Sequence, residues 1–190
     1  MKHLVQNRDG GGSAIDELVY DYLKESISKP KKVLELCAGP AFMGKKLYQN
    51  NFCDELHVSD INPHALPDDE YITKHTSNGF DDIFVNDFDL IVCNPPWFEH
   101  QVYVYAGLAD ELLTVDPKWR LHKKLYPEAK NFLTKGGYLF MIECKFATNV
   151  DSFYADGLTL VDHFQLVEKT ETRNHMTNLA YGALYRKNDV

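Results

Sequence analysis

The apolar positions change period along the chain. Ile15, Leu18, Val19, Tyr22, Leu23 and Ile27 recur at helical spacing after Ser13, which predicts an amphipathic helix. Ser13 and Asp16 have the spacing of a capping box, with Asp standing for Glu. "SKPKK" breaks that helix, and "KVLELC" (32–37) is a short β-rich run. "GPAFMGKKLYQN" predicts a turn and a second helix. "ELHVSD" (55–60) and "YITKH" (71–75) predict two more strands. "INPHALPDDE" lies between them, and its two prolines allow only a short helical turn. "SNGFDDIFVND" predicts a turn with a short helix. "FDLIVC" (88–93) is apolar almost throughout, as expected for a strand buried on both faces.

A long segment follows Pro95 and Pro96. A helix is predicted from Trp119 to Leu133, closed by "TKGG" with glycine just past its end. "YLFMIEC" (138–144) predicts a fifth strand, and "TNVDSFYAD" one more helix. "LTLVDHFQLVEK" and "NLAYGALYRK" predict two closing strands joined by the polar loop "TETRNHM". The fold class is therefore α/β: a Rossmann-like, seven-stranded, mostly parallel sheet flanked by helices, with an antiparallel C-terminal hairpin. There is no internal repeat. One domain over residues 1–190 is expected, with 1–13 as a flexible N-terminal segment. Residues 7–12 read either as a disordered start or as a lid hinged at three glycines. Residues 98–119, with Tyr103 and Tyr105, read either as a substrate lid or as a packed connection.

Composition narrows the function. No apolar run is long enough for a membrane span, and the polar N-terminus is not a secretory signal. Cys37, Cys53, Cys93 and Cys144 are scattered without C-x-x-C spacing, so reduced thiols and a cytoplasmic protein are expected. The histidines form no metal motif, and no metal is expected. A net charge of −8 argues against a phosphate-binding surface spread over the molecule. "PKWRLHKK" (117–124) is a local basic run, readable as a solvated helix face or as a basic patch.

Ligands in open α/β sheets bind beyond the carboxyl ends of the strands, where the strand order reverses. The first such end is "ELCAGPAFMG", with Glu35, Gly39 and Gly44 at or past it. Small residues at Ala38, Gly39 and Ala41 let a ligand approach the backbone, and the next helix starts there with unpaired N–H groups. Asp60 ends the second strand about twenty positions on, where an acid can hold two ribose hydroxyls. No Lys-Ser/Thr pair makes this a P-loop. It is not G-x-G-x-x-G either, since Cys37 and Ala41 occupy two glycine places. The fourth strand ends in Asn94-Pro95-Pro96-Trp97. Prolines have no N–H, so two in a row leave a short loop whose backbone offers acceptors only, and the Asn94 side chain adds a carbonyl acceptor. Such a pocket suits an –NH2 group with two hydrogens to donate. Trp97 adds a flat face for a planar amide or base. The competing reading is a rigid strand-ending turn with Trp97 in the core.

With these motifs the sequence resembles the class I S-adenosylmethionine-dependent methyltransferases. More narrowly it resembles the N-P-P-Y/F/W group, which methylates planar nitrogens of release-factor glutamines, RNA bases and DNA amino groups. "VLELCAGPAFMG" is similar to the methionine-binding motif, "VSDINPHAL" to the ribose-binding strand end, "SNGF" to the adenine-contacting turn and "LIVCNPPWF" to the catalytic motif. The likeness spans residues 33–144.

The resemblance implies roles. Glu35 approaches the methionine amino group, with Cys37, Ala38 and Gly39 in the turn. Asp60 binds the ribose hydroxyls and Ile61 packs on the adenine. Asn78, next to Gly79, contacts the adenine amine. Asn94 borders the cofactor and, with Pro95 and Pro96, holds the target nitrogen, on which Trp97 stacks. Asn78 stands where an acid is common in the group, and Cys37 and Ala41 stand where glycines are usual. The chain is closer in size to the short archaeal and eukaryotic type, some of which need a small activating partner protein.

The implied cofactor is S-adenosyl-L-methionine, with S-adenosyl-L-homocysteine as product. A protein glutamine is the first-choice substrate and an RNA base the second. The negative charge and the lack of room for a target-recognition region make DNA unlikely. A small-molecule N-methyltransferase and a non-catalytic partner of the same fold stay open.

Overall fold

The computed structural model describes residues 13–100, 103–104, 107–108, 114–166 and 180–189. The expectations for residues 7–12, for the loop 170–176 and for Tyr105 in the 98–119 segment lie outside them. Helix α1 (Ser13–Ser26) buries Ile15, Val19 and Leu23, the positions that share one face at this spacing. Helix α2 (Phe42–Gln49) joins β1 (Lys32–Leu36) to β2 (Glu55–Asp60). β3 (Ile72–Thr76) and β4 (Phe88–Cys93) follow. A two-residue pair, β5 (Tyr103–Val104) and β6 (Gly107–Leu108), stands apart from the main sheet. Helix α3 (His122–Glu128) precedes β7 (Leu133–Cys144), β8 (Leu158–Gln165) and β9 (Ala180–Lys187).

Seven strands form one sheet in the order β3-β2-β1-β4-β7-β9-β8. The first five in that order pair in parallel, and β9 runs antiparallel between β7 and β8. This is the expected Rossmann-like sheet with its antiparallel hairpin. α1 and α2 pack on one face against Val33, Leu56, Val58 and Val92. α3 and the turn carrying Phe80 and Ile83 pack on the other, against Leu34, Ile91 and Leu139. β4 lies between both layers, with Leu90, Ile91, Val92 and Cys93 fully buried. Double burial explains its unbroken apolar run, and each such side chain contributes roughly 1.5–3 kcal/mol.

Four local expectations are corrected. Residues 77–87 form hydrogen-bonded turns without a helix, because the Ser77 hydroxyl accepts the Asp82 N–H (2.9 Å) and competes with a helical ladder. Residues 148–156 are also turns. There the Asn149 side chain accepts the Asp151 N–H (2.9 Å) and Ser152 Oγ accepts the Asn149 N–H (2.8 Å). The helix expected from Trp119 to Leu133 is α3 alone, with short 3-10 turns at Pro117–Trp119 and Ala129–Asn131. Positive φ at Lys118 and Trp119 and a proline at 127 explain its shortness. "TKGG" does not cap that helix. β7 begins at Leu133, opposite Phe88, and Gly136-Gly137 lie within it where the register shifts between Phe88 and Leu90. Among the described residues no helix is long and apolar enough to cross a membrane.

Candidate functional site

The chain order of the sheet reverses between β1 and β4, and this fixes which strand ends meet. Leu36 pairs with Ser59 on one side and with Cys93 on the other. The residues just beyond are Cys37, Asp60 and Asn94, so the three sequence motifs converge at one edge of the sheet.

The turn after β1 is held in an unusual conformation. Cys37, Gly39 and Ala41 have φ of 53°, 48° and 59°. Glycine takes this region freely, whereas Cys37 and Ala41 do so at roughly 1–2 kcal/mol each. The two residues that replace the usual glycines thus keep a glycine-like backbone. Hydrogen bonds hold it there. Ala41 N–H donates to Ala38 O (2.7 Å), Ala38 N–H to Ser59 O (3.0 Å) and Gly39 N–H to Asp60 Oδ2 (2.9 Å). A Cβ added at Gly39 would meet no atom within 4 Å, so the turn faces open space.

Beneath the turn, Glu35 is buried and its Oε2 accepts the Gly44 N–H at 2.7 Å. Burial pushes its carboxyl up to about 8. The Gly44 N–H opposes that rise and the nearby Asp16 adds to it. Asp16, read in the sequence as part of a capping pair, is itself buried on α1, and its Oδ1 has no hydrogen-bond partner. Burial raises it to about 7, with Lys46 opposing. Two acids that resist ionisation lie together under the turn, and sequence reading missed this. An acid directly beside Ile15, on the face α1 buries, was the available signal.

Asp60 divides its carboxylate between Gly39 N–H and Asn62 N–H, both at 2.9 Å, and so ties the β1 turn to the end of β2. Ile61 is exposed beside it. Asn78 is exposed at the end of β3, and its carbonyl accepts from Lys124 Nζ at 3.0 Å. Gly79 is buried against Leu121 and Leu125, which docks this turn on α3.

After β4, Asn94 and Pro96 are half-buried while Pro95 and Trp97 are buried. Trp97 is 8% exposed and packs in the core layer on the α1 side. Its indole Nε1–H donates to Asn94 Oδ1 at 2.9 Å. That bond takes one of the two acceptor positions of the oxygen. Cys37 and Cys93 sit side by side where the two turns meet. Burial raises the Cys93 thiol well above its usual range, and the contact with Cys37 adds to it. Sequence spacing gave no hint of this pair. Among the described residues no group of three His, Cys, Asp or Glu could hold a metal ion.

The sequence matches no family model, and no curated protein matches it. Solved structures do match in fold. N-methyltransferase NodS from Bradyrhizobium japonicum WM9, in complex with S-adenosyl-L-homocysteine, superposes with a TM-score of 0.58 at 17% identity, covering 91% of this chain and 85% of that one. TrmN from Thermus thermophilus gives 0.61 at 13% identity, with 91% of this chain against 48% of TrmN. A ribosomal protein L11 methylase from Lactobacillus delbrueckii subsp. bulgaricus gives 0.62 at 10% identity, covering 94% and 81%. The chain has the Rossmann-like fold of these methyltransferases.

Proposed function

We propose that this chain is an S-adenosylmethionine-dependent methyltransferase acting on a planar amide or amino nitrogen, with a protein glutamine side chain as first-choice substrate. One observation carries the reading. An open glycine turn tied to Asp60 and an Asn-Pro-Pro-Trp turn whose two prolines have no N–H follow the paired residues Leu36 and Cys93. The NodS complex supports the cofactor.

The residues present fit the cofactor. The space above Gly39 admits a ligand against the backbone. Asp60 keeps lone pairs for ribose hydroxyls after accepting two N–H groups. Exposed Ile61 offers an apolar face for a base. Asp16 and Glu35 form an acidic neighbourhood suited to an ammonium group. When bound, S-adenosylmethionine supplies an electrophilic methyl group and leaves as S-adenosylhomocysteine.

Asn94 Oδ1 and the Asn94 carbonyl ahead of Pro95 hold the two hydrogens of the target –NH2. They favour the nitrogen as it becomes tetrahedral and gains charge. The nitrogen lone pair forms the new N–C bond, and one N–H proton then departs to water. Positioning is the main contribution of the turn.

An RNA base is the second reading, favoured by exposed Lys118 and Arg120 just before α3 and Lys123 in its first turn. Labelled methyl transfer into a cell lysate, separated into protein, RNA, DNA and small-molecule fractions, decides among substrates. Label in the protein fraction, at glutamine, is expected. A lysate also supplies any small activating partner that the purified chain lacks. No S-adenosylmethionine binding at millimolar concentration by calorimetry refutes the enzyme reading and leaves the non-catalytic partner.

A further inference from the structure

A buried charged cluster lies behind the Asn94–Trp97 turn, and the chemistry above does not use it. His122, the first residue of α3, and Glu143, near the end of β7, are fully buried. His122 Nδ1 is 2.7 Å from Asp116 Oδ2, and Nε2 is 3.2 Å from Glu143 Oε2. An imidazole that meets a carboxylate at each nitrogen donates at both, so it carries a positive charge. Asp116 also accepts the N–H groups of Leu121 (2.9 Å) and His122 (3.0 Å). Glu143 also accepts from Tyr126 Oη (3.0 Å) and Thr148 Oγ1 (3.2 Å).

Such a cluster is a poor way to stabilise a fold, because three desolvated charges cost more than a matched apolar packing would. Its placement gives it a use. Asp116 is where the chain returns after the excursion that follows the acceptor turn. Asp116 N–H donates to Phe98 O at 2.7 Å, and Phe98 N–H donates to Thr114 O at 3.0 Å. Phe98 directly follows Trp97 and forms a bridge with Val115. Cys93 pairs with Met141, so Glu143 lies two residues past that pair on β7, as Pro95 lies two residues past it beyond the end of β4. An unbroken series of bonds therefore runs from β7 through Glu143, His122 and Asp116 to the exit of the turn.

We propose that His122 is a positioning residue for the Asn94–Pro95–Pro96–Trp97 turn, holding its exit at the carboxyl end of β7 through Asp116 and Glu143. The assignment rests on the methyltransferase reading above, and His122 itself touches neither cofactor nor substrate. The groups that face the cluster are Asp116 from the returning chain, Glu143 from β7, Cys93 from β4 and Tyr126 from α3. Thr148 and Phe153 face it from the turns after β7, Tyr181 and Tyr185 from β9, and Trp119 from the 3-10 turn. Burial opposes the charge on His122, and the bonds to Asp116 and Glu143 outweigh it, raising the group to about 9.

The test follows the ring carbons of Trp97 by NMR, identified as the signals lost in Trp97→Phe, from about pH 7 to about pH 10.5, beside the imidazole carbon of His122. In the wild type the Trp97 signals are expected to move together with the deprotonation of His122. In His122→Gln they are expected to be displaced already at neutral pH and to stay flat. That variant is also expected to bind S-adenosylhomocysteine within roughly twofold of wild type and to lose about tenfold in kcat at unchanged cofactor KM. Wild-type Trp97 signals that stand still while His122 titrates overturn the proposal, as do unchanged Trp97 signals in His122→Gln. Should His122→Gln fail to fold, Glu143→Gln keeps the shape and removes one counter-charge. It is expected to lower the joint midpoint by about a pH unit, and an unmoved midpoint overturns the proposal. Absent cofactor binding in the wild type refutes the enzyme reading, and the Trp97 signals do not depend on it.

Discussion

Gly44→Ala separates helix propensity from packing because the two predict opposite signs. Gly44 lies in the first turn of α2, and its N–H is 2.7 Å from the buried Glu35 Oε2. An added Cβ would stand 2.7 Å from that oxygen and 2.7 Å from Leu56 Cδ1. Glu35 and Leu56 are 2% and 1% exposed, so neither has space to withdraw into. Propensity alone favours alanine by about 1 kcal/mol. Overpacking costs about 1–3 kcal/mol, and displacing the Glu35 carboxyl weakens a buried hydrogen bond by about 1 kcal/mol more. The net expectation is a loss of roughly 1–3 kcal/mol, read as a lower urea midpoint at unchanged slope. The same displacement moves the floor of the β1 turn, so affinity for S-adenosylhomocysteine should fall about fivefold or more by calorimetry. A variant more stable than wild type by about 1 kcal/mol, with normal affinity, would refute the packing argument.

Three further outcomes follow from the site. Asp60→Ala removes the acceptor of two backbone N–H groups and should weaken S-adenosylhomocysteine binding by about tenfold or more, while Asn94→Ala leaves it within about threefold and abolishes transfer. Equal losses of affinity in the two variants contradict the assigned roles. Stability should decline from about pH 5 to about pH 9. Glu35 and Asp16 are raised above their unfolded values, so the folded state holds protons that the unfolded state releases, and stability falls as pH climbs through 7 and 8. His122 adds its share below 6.5 and loses it as pH rises through about 9, a span worth roughly 3 kcal/mol. Urea midpoints across pH check this, and a flat profile between pH 7 and pH 9 rules it out. Finally, binding near neutral pH should release protons as Glu35 and Asp16 ionise around an ammonium group. Calorimetry in buffers of different ionisation enthalpy reads the number directly, and proton uptake would contradict their placement.

The sheet was legible because its signals are local. "FDLIVC" and "KVLEL" are buried on both faces and read as such, and topology then dictates which ends meet. The helices expected at 77–87 and 148–156 were not legible, because Ser77, Asn149 and Ser152 turn the backbone onto their own side chains. The site residues were legible by position but not by environment. Glu35 reads as an ordinary strand acid until Gly44 folds over it. The basic run at 117–124 hides His122, which points inward while Lys118, Arg120 and Lys123 point out. Only the register of β7 against β4 brings Glu143 to it. A single acid within the apolar "FMIEC" was the one trace of that cluster in the sequence.

The indole bond to Asn94 has a consequence for the cost of binding. The amide oxygen already has a donor inside the protein, so the turn keeps its shape without an occupant. The side chain is aimed before any ligand arrives, and little ordering entropy remains to be lost when one does. Trp97 thus acts as an internal strut, and its burial on the α1 side ties the aim of the Asn94 amide to the core rather than to the occupant.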